Sequence, residues 1–171
     1  FIKIKNKSLN KNWKSSIVSE ITKKNIKKNT NINDASIDSR KIQKNNIFFG
    51  IKGKNFDGNK FVSHAFNNGA SISINENKKK NKFKNDIYVK NSLKTFSEIA
   101  KLIRTSSNIS SIAITGSSGK TSLKEMLGQM MNKLCQTSYS KKSFNNKYGV
   151  PISLFNIKKN DIFGIFEVGM D

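Results

Sequence analysis

Thr115-Gly116-Ser117-Ser118-Gly119-Lys120-Thr121-Ser122 combines two glycines, a lysine and a hydroxyl in the order that cradles a polyphosphate. A glycine-rich turn that opens a helix leaves backbone N–H groups unpaired and aimed at one point, and the helix dipole adds to their pull on an anion. Lys120 then offers a charge to the outer phosphates of a nucleoside triphosphate, and the Thr121 hydroxyl is placed to ligate the accompanying Mg²⁺. The general motif has four residues between its glycines. Here only Ser117 and Ser118 separate Gly116 from Gly119, and Ile114 takes the usual first-glycine position, so the loop is a short variant. An ordinary serine-rich turn is the plain alternative, but such a turn has no need of Gly-Lys-Thr between an apolar run and a helix.

A second acidic anchor is expected downstream. Ile162-Phe163-Gly164-Ile165-Phe166 has the continuous apolar character of a strand buried on both faces, and it ends at Glu167. In a parallel sheet the C-terminal strand ends share one edge, where ligands collect. Glu167 there suits Mg²⁺, which takes one or two protein oxygens beside substrate phosphates. The competing reading is a merely solvated carboxylate.

The elements around these residues alternate. Ser111–Ile114 reads as a strand, Lys120 to about Leu134 as a helix, Thr137–Tyr139 as a short strand, Pro151 as a helix start, and the run to Val168 as a strand. Alternating strands and helices imply parallel pairing with right-handed crossovers. Upstream, a helix is expected from about Asn12 to Lys23 on the spacing of Trp13, Ile17, Val18 and Ile21. Strands are expected at Ile47–Lys52, at the alternating Ser71–Ile74 and at Ile87–Val89, with a helix around Phe61–Phe66 closed by Gly69. Leu93, Phe96, Ile99, Ala100 and Ile103 form a helical stripe that gives way to a polar connection at Arg104–Asn108. The expected fold class is α/β: a small N-terminal α/β domain (1–108), then the start of a parallel-sheet phosphate-loop ATPase domain (109–171).

Composition bounds the rest. A chain of 171 residues with 35% hydrophobic content holds one or two domains, and no apolar run approaches a membrane span. No export is expected, since the residues given open on no charged segment followed by an apolar one, and the single Cys135, expected on the apolar side of a helix, fits a reducing cytoplasmic setting. The net charge of +21 raises the possibility of a nucleic-acid-binding module. Yet the charge is almost all Lys, interleaved with Asn and Ile, and arginine occurs only at Arg40 and Arg104. A solvated surface explains that better than a nucleic-acid partner. His64 reads as a partly buried helix residue, Asp57 as a turn former, and Met126, Met130 and Met131 as core filling.

Asp38-Ser39-Arg40, Phe48-Phe49-Gly50-Ile51-Lys52-Gly53, Phe56-Asp57-Gly58, the loop with Lys124-Glu125-Met126 after it, Phe144-Asn145-Asn146-Lys147-Tyr148-Gly149-Val150-Pro151 and Phe166-Glu167-Val168-Gly169-Met170 together resemble the Mur ligases of peptidoglycan synthesis. The short loop is the form that family uses. The resemblance implies three domains, of which this chain covers the first and the opening of the second, so that the piece alone is expected to be inactive. It implies ATP and Mg²⁺, with Lys120 on the outer phosphates, Thr121 and Glu167 on the metal, Asn145 or Asn146 near nucleotide and substrate, and Asp38, Ser39 and Arg40 gripping a UDP-muramoyl substrate. Ser-Ser in the loop and Asn-Asn before Gly-Val-Pro favour the member that joins D-alanyl-D-alanine to UDP-N-acetylmuramoyl-tripeptide over the one that adds the third amino acid. A monomer is expected. Another phosphate-loop kinase or NTPase stays open as an alternative. Asn59, where relatives often carry His, and the Lys-rich inserts depart from the family pattern.

Overall fold

The computed structural model describes residues 12–26, 30–78, 83–141 and 143–169. The Lys-rich stretches at 27–29 and 79–82, and Met170 at the end of the last motif, lie outside them. The chain divides into two compact units, Asn10–Ile99 and a second from Ala100 onward.

The first unit begins with α1 (Trp13–Thr22), which buries Trp13, Ile17 and Val18 as the helical spacing requires. Four strands follow, β1 (Ala35–Ser36), β2 (Asn46–Phe49), β3 (Ala70–Asn75) and β4 (Asp86–Tyr88). They form one parallel sheet in chain order, with Ala35 beside Ile47, Ile47 beside Ile72, and Ile74 beside Ile87. A short helix, α2 (Val62–Asn67), lies between β2 and β3 and ends at Gly69, whose φ of +102° suits glycine. Phe48 and Phe49 are fully buried, and Phe49 stacks on Phe96 with ring centroids 4.1 Å apart. Each such ring removed from water contributes about 1.5–3 kcal/mol.

Two local expectations need correction. The segment Ser71–Ile74 alternates in sequence, but Ile72, Ser73, Ile74 and Asn75 are all buried, because both faces of the sheet are covered. The polar pair survives inside by mutual bonding: the Asn75 carboxamide donates to Ser73 Oγ at 3.2 Å and to the Asp86 carboxylate. The residues expected as a polar connection at Arg104–Ser106 instead complete α3 (Ser92–Ser106). Only Ser107 to Ile109 then join the helix to the next strand, because no glycine or proline stops it earlier.

The second unit holds β5 (Ser110–Ile114), α4 (Lys120–Leu134), β6 (Thr137–Tyr139), α5 (Gly149–Phe155) and β7 (Phe163–Glu167). The three strands are parallel in the order β5-β7-β6, so the most apolar strand is the central one. The register sets Ile114 beside Glu167 and Tyr139 beside Ile165. Helix α4 approaches the sheet through Gly128, where an added Cβ would stand 2.6 Å from the Tyr139 ring. Its outward face carries Met126 and Met130, each 63% exposed, with Leu123 and Leu134. Those two methionines therefore do not fill the core; the face turned to the sheet is the one with Lys124 and Gly128, both buried. Cys135 likewise leaves the helix: it is the residue after the last turn, extended at φ −158° and half-buried.

Candidate functional site

Because the strands are parallel, the loops after β5, β6 and β7 meet at one edge of the second unit. The first of them is the glycine loop. Gly116 at φ +142° and Gly119 at φ +74° adopt backbone that L side chains rarely take, and this lets the five residues Thr115 to Gly119 turn strand into helix. Gly119 is the cap residue of α4 and has no side chain with which to cap it, so the first-turn N–H groups remain available to an anion. The Lys120 ammonium curls back over the loop and donates to the carbonyls of Gly116 and Ser117.

Glu167 ends β7 beneath this loop. It is 1% exposed, which overturns the reading of a solvated carboxylate. A buried carboxylate must be paired, and this one is paired on both oxygens. The Thr121 hydroxyl donates to Oε2 at 2.9 Å, and the Asn145 carboxamide donates to Oε1 at 2.8 Å. Its backbone N–H donates to the buried Ser140 hydroxyl at 3.2 Å. The loop after β6 is tied in by Gly169 N–H to Asn145 O at 2.7 Å, and Ser143 Oγ lies 3.4 Å from Thr121 Oγ1. Thr121, Asn145 and Glu167 are thus brought together, with Lys120 one residue away on the loop. Asn146 is not with them: its Oδ1 accepts from the amides of Tyr148 and Gly149 at 3.0 and 2.9 Å and opens α5. Sequence reasoning passed over Ser140 and Ser143, and it quoted Lys124 in a motif without giving its side chain a role. A serine after a short strand carries no motif, and which face of α4 meets the sheet is not written in the spacing around Lys124.

An oxygen pair of this kind fits Mg²⁺, a hard cation that needs few protein ligands when phosphates supply the others. Among the described residues no cluster of three or more His, Cys, Asp or Glu side chains offers a different metal site.

The first unit carries a separate cavity of 690 Å³, lined by Ile37, Asp38, Ser39, Arg40, Phe48, Phe56, Phe61 and His64. Asp38 opens the turn Ser39–Lys41, and its carboxylate takes Arg40 Nε and Nη2, each at 2.9 Å. That hydrogen bond from Arg40 holds the Asp38 carboxyl below its ordinary value. Ser39 is buried, with its hydroxyl 3.0 Å from His64 Nδ1 and its carbonyl accepting from Asn68 Nδ2 at 2.9 Å. His64 is exposed rather than partly buried, since it stands at the cavity lining. Phe56 and Phe61 stack with centroids 4.9 Å apart. Asn59, the departure from the family pattern, is buried, and its carboxamide bridges Asp57 Oδ1 at 2.7 Å and the Glu76 amide at 2.8 Å. Asp57 caps the turn that follows, as its place in the sequence suggests.

Residues 31–133 match the model of the Mur ligase family catalytic domain, and residues 114–171 match the Mur ligase middle domain. The chain belongs to the Mur ligase family. A curated relative of this Mur ligase chain, 38% identical over 140 residues, is the UDP-N-acetylmuramoyl-tripeptide--D-alanyl-D-alanine ligase of Buchnera aphidicola subsp. Baizongia pistaciae; the match covers 81% of this chain and 30% of the relative. The fold is similar to crystal structure I of MurF from Acinetobacter baumannii, with a TM-score of 0.77 at 28% identity over 91% of this chain and 35% of that one. It is also similar to the MurF ligase of Thermotoga maritima in complex with ADP, with a TM-score of 0.66 at 28% identity over 80% of this chain and 32% of that one. The chain spans about a third of the length of these relatives. Among the described residues no helix is long and apolar enough to cross a membrane.

Proposed function

We propose that this chain supplies the phosphate loop and a substrate pocket to an ATP-dependent ligase that joins D-alanyl-D-alanine to UDP-N-acetylmuramoyl-tripeptide. The observation that carries the reading is the contact at 2.9 Å between Thr121 Oγ1 and the buried Glu167 carboxylate at the mouth of the loop. A hydroxyl and an acid side by side at the end of that loop support a site for a metal-bound triphosphate, in a chain whose 38% identical relative bears that ligase's name.

A carboxylate is a poor electrophile, so the peptide's terminal carboxylate attacks the γ-phosphorus of ATP, and ADP leaves with the electrons of the broken β–γ bond. The resulting acyl phosphate is attacked by the amine of D-alanyl-D-alanine, which expels inorganic phosphate and forms the amide after losing a proton. The work asked of this chain is positioning and charge balance. Loop N–H groups from Gly116 to Ser122 hold the phosphates, and Lys120 swings from the loop carbonyls to the transferring group. Thr121 and Glu167 would hold Mg²⁺, which, when bound, neutralises phosphate charge. Asn145 fixes the Glu167 carboxylate from the other side, and Asn146 shapes the loop. Asp38, Ser39 and Arg40 grip the UDP-muramoyl substrate, with the stacked Phe56 and Phe61 offering a flat apolar wall to a planar ring. We place this protein in the cytoplasm as a monomer, with no nucleic-acid partner.

Phosphate release by the full-length enzyme is the test. It should require ATP, UDP-N-acetylmuramoyl-tripeptide and D-alanyl-D-alanine together, and Lys120→Ala should abolish it. Release without the amine acceptor would instead indicate a simple NTPase or kinase.

A further inference from the structure

Lys124 has no place in the loop motif, yet it is fully buried at the same sheet edge. It lies one helical turn beyond Lys120 and one before Gly128, on the face that the Gly128–Tyr139 approach presses toward the strands. Its ammonium stands 3.1 Å from Glu125 Oε1 and 3.8 Å from Glu167 Oε2, the oxygen that also receives the Thr121 hydroxyl. Glu125 is 37% exposed and can satisfy itself in water; Glu167, at 1%, cannot. Of the two carboxylates beside Lys124, the buried one has the greater need of a cation.

We propose that Lys124 is a positioning residue whose ammonium is the resident positive charge of the Glu167 carboxylate, holding it in place before any metal is bound. The same charge opposes a second cation on that carboxylate, so Lys124 also limits how strongly the empty edge attracts a divalent ion. A lysine at this point therefore keeps the unliganded edge folded and makes metal binding depend on the phosphates that come with it. The part concerning Mg²⁺ rests on the reading of Glu167 as a metal oxygen; the pairing of Lys124 with Glu167 does not.

The test is a thermal-melting cycle in the full chain with Lys124→Met, Glu167→Gln and both together. In EDTA, K124M should lower the melting temperature clearly, and the same substitution made on E167Q should lower it by less than half as much. Adding ADP and Mg²⁺ should then raise the K124M melting temperature more than that of the wild type. If K124M cannot be obtained folded while the double variant can, the coupling is demonstrated in that form. Equal losses in both backgrounds, or failure of both variants to fold, would mean that the lysine acts by packing alone, and the proposal falls. Should the Mg²⁺-dependent rise survive intact in E167Q, the metal reading fails, and the cycle in EDTA still decides the role of Lys124.

Discussion

Replacing Gly119 by alanine isolates the backbone that turns β5 into α4. Nothing lies within 4 Å of the position an alanine Cβ would take, so crowding adds nothing and the whole cost comes from φ +74°. Left-handed backbone costs an L residue about 1–2 kcal/mol. Alanine stiffens the unfolded chain relative to glycine and returns about 0.4–1 kcal/mol. The net loss is about 1 kcal/mol, which in a chain of this size lowers the melting temperature by about 2–4 °C. Nucleotide binding should suffer more. If the strain is relieved by rotating the Gly119 peptide, a first-turn N–H turns away from the phosphates, and one charge-assisted hydrogen bond is worth about 1.5–3 kcal/mol. ADP affinity measured by calorimetry with Mg²⁺ present should therefore fall about tenfold or more. Gly119→Asn, whose side chain tolerates left-handed backbone, should recover most of both losses. Wild-type melting and affinity in Gly119→Ala, or an asparagine as damaging as the alanine, would refute the argument from backbone geometry.

The two neighbouring asparagines should separate. Asn145→Ala removes the donor to Glu167 Oε1 and should weaken Mg²⁺-dependent ADP binding about tenfold, whereas Asn146→Ala removes the amide acceptor at the start of α5 and should cost about 1 kcal/mol of stability with affinity nearly unchanged. Calorimetry and melting together check both. In the other unit, burial pushes the Asp86 carboxyl above its ordinary value, against the hydrogen bonds from Ser73 and Asn75. The folded state then holds the proton more tightly than the unfolded one, so this group favours folding below the ordinary carboxylate pKa, and that contribution is lost as pH rises through the raised value. Asp86→Asn should flatten the melting temperature across that interval and raise it at neutral pH; an unchanged pH profile would count against the effect of burial.

The sequence announced those parts of the site that depend on local chain geometry. Gly-x-x-Gly-Lys-Thr between an apolar run and a helix is a local signal, and the continuous apolar character of Ile162–Phe166 marks a central strand without reference to its neighbours. The pairing of Thr121 with Glu167 follows once both strands are parallel. What escaped is set by how elements rotate against each other. Met126 and Met130 have core spacing, but α4 turns Lys124 and Gly128 to the sheet because Gly128 alone allows the approach to Tyr139. Asn145 and Asn146 are chemically identical in a string of letters, and only the trajectory of the loop sends one to Glu167 and the other to α5. His64 and Ser39 are 25 residues apart, and the hydrogen bond between them depends on the packing of α2 against the turn Ser39–Lys41.

The central claim is that the short loop and Glu167 together bind a metal-nucleotide. A crystal of the full chain grown with ADP and Mn²⁺ in place of Mg²⁺ tests it directly through the anomalous signal of the metal. One peak should lie within bonding distance of Thr121 Oγ1 and a Glu167 oxygen, with the β-phosphate against the N–H groups of residues 116–122. A metal peak elsewhere, or a nucleotide bound away from that loop, would contradict the account.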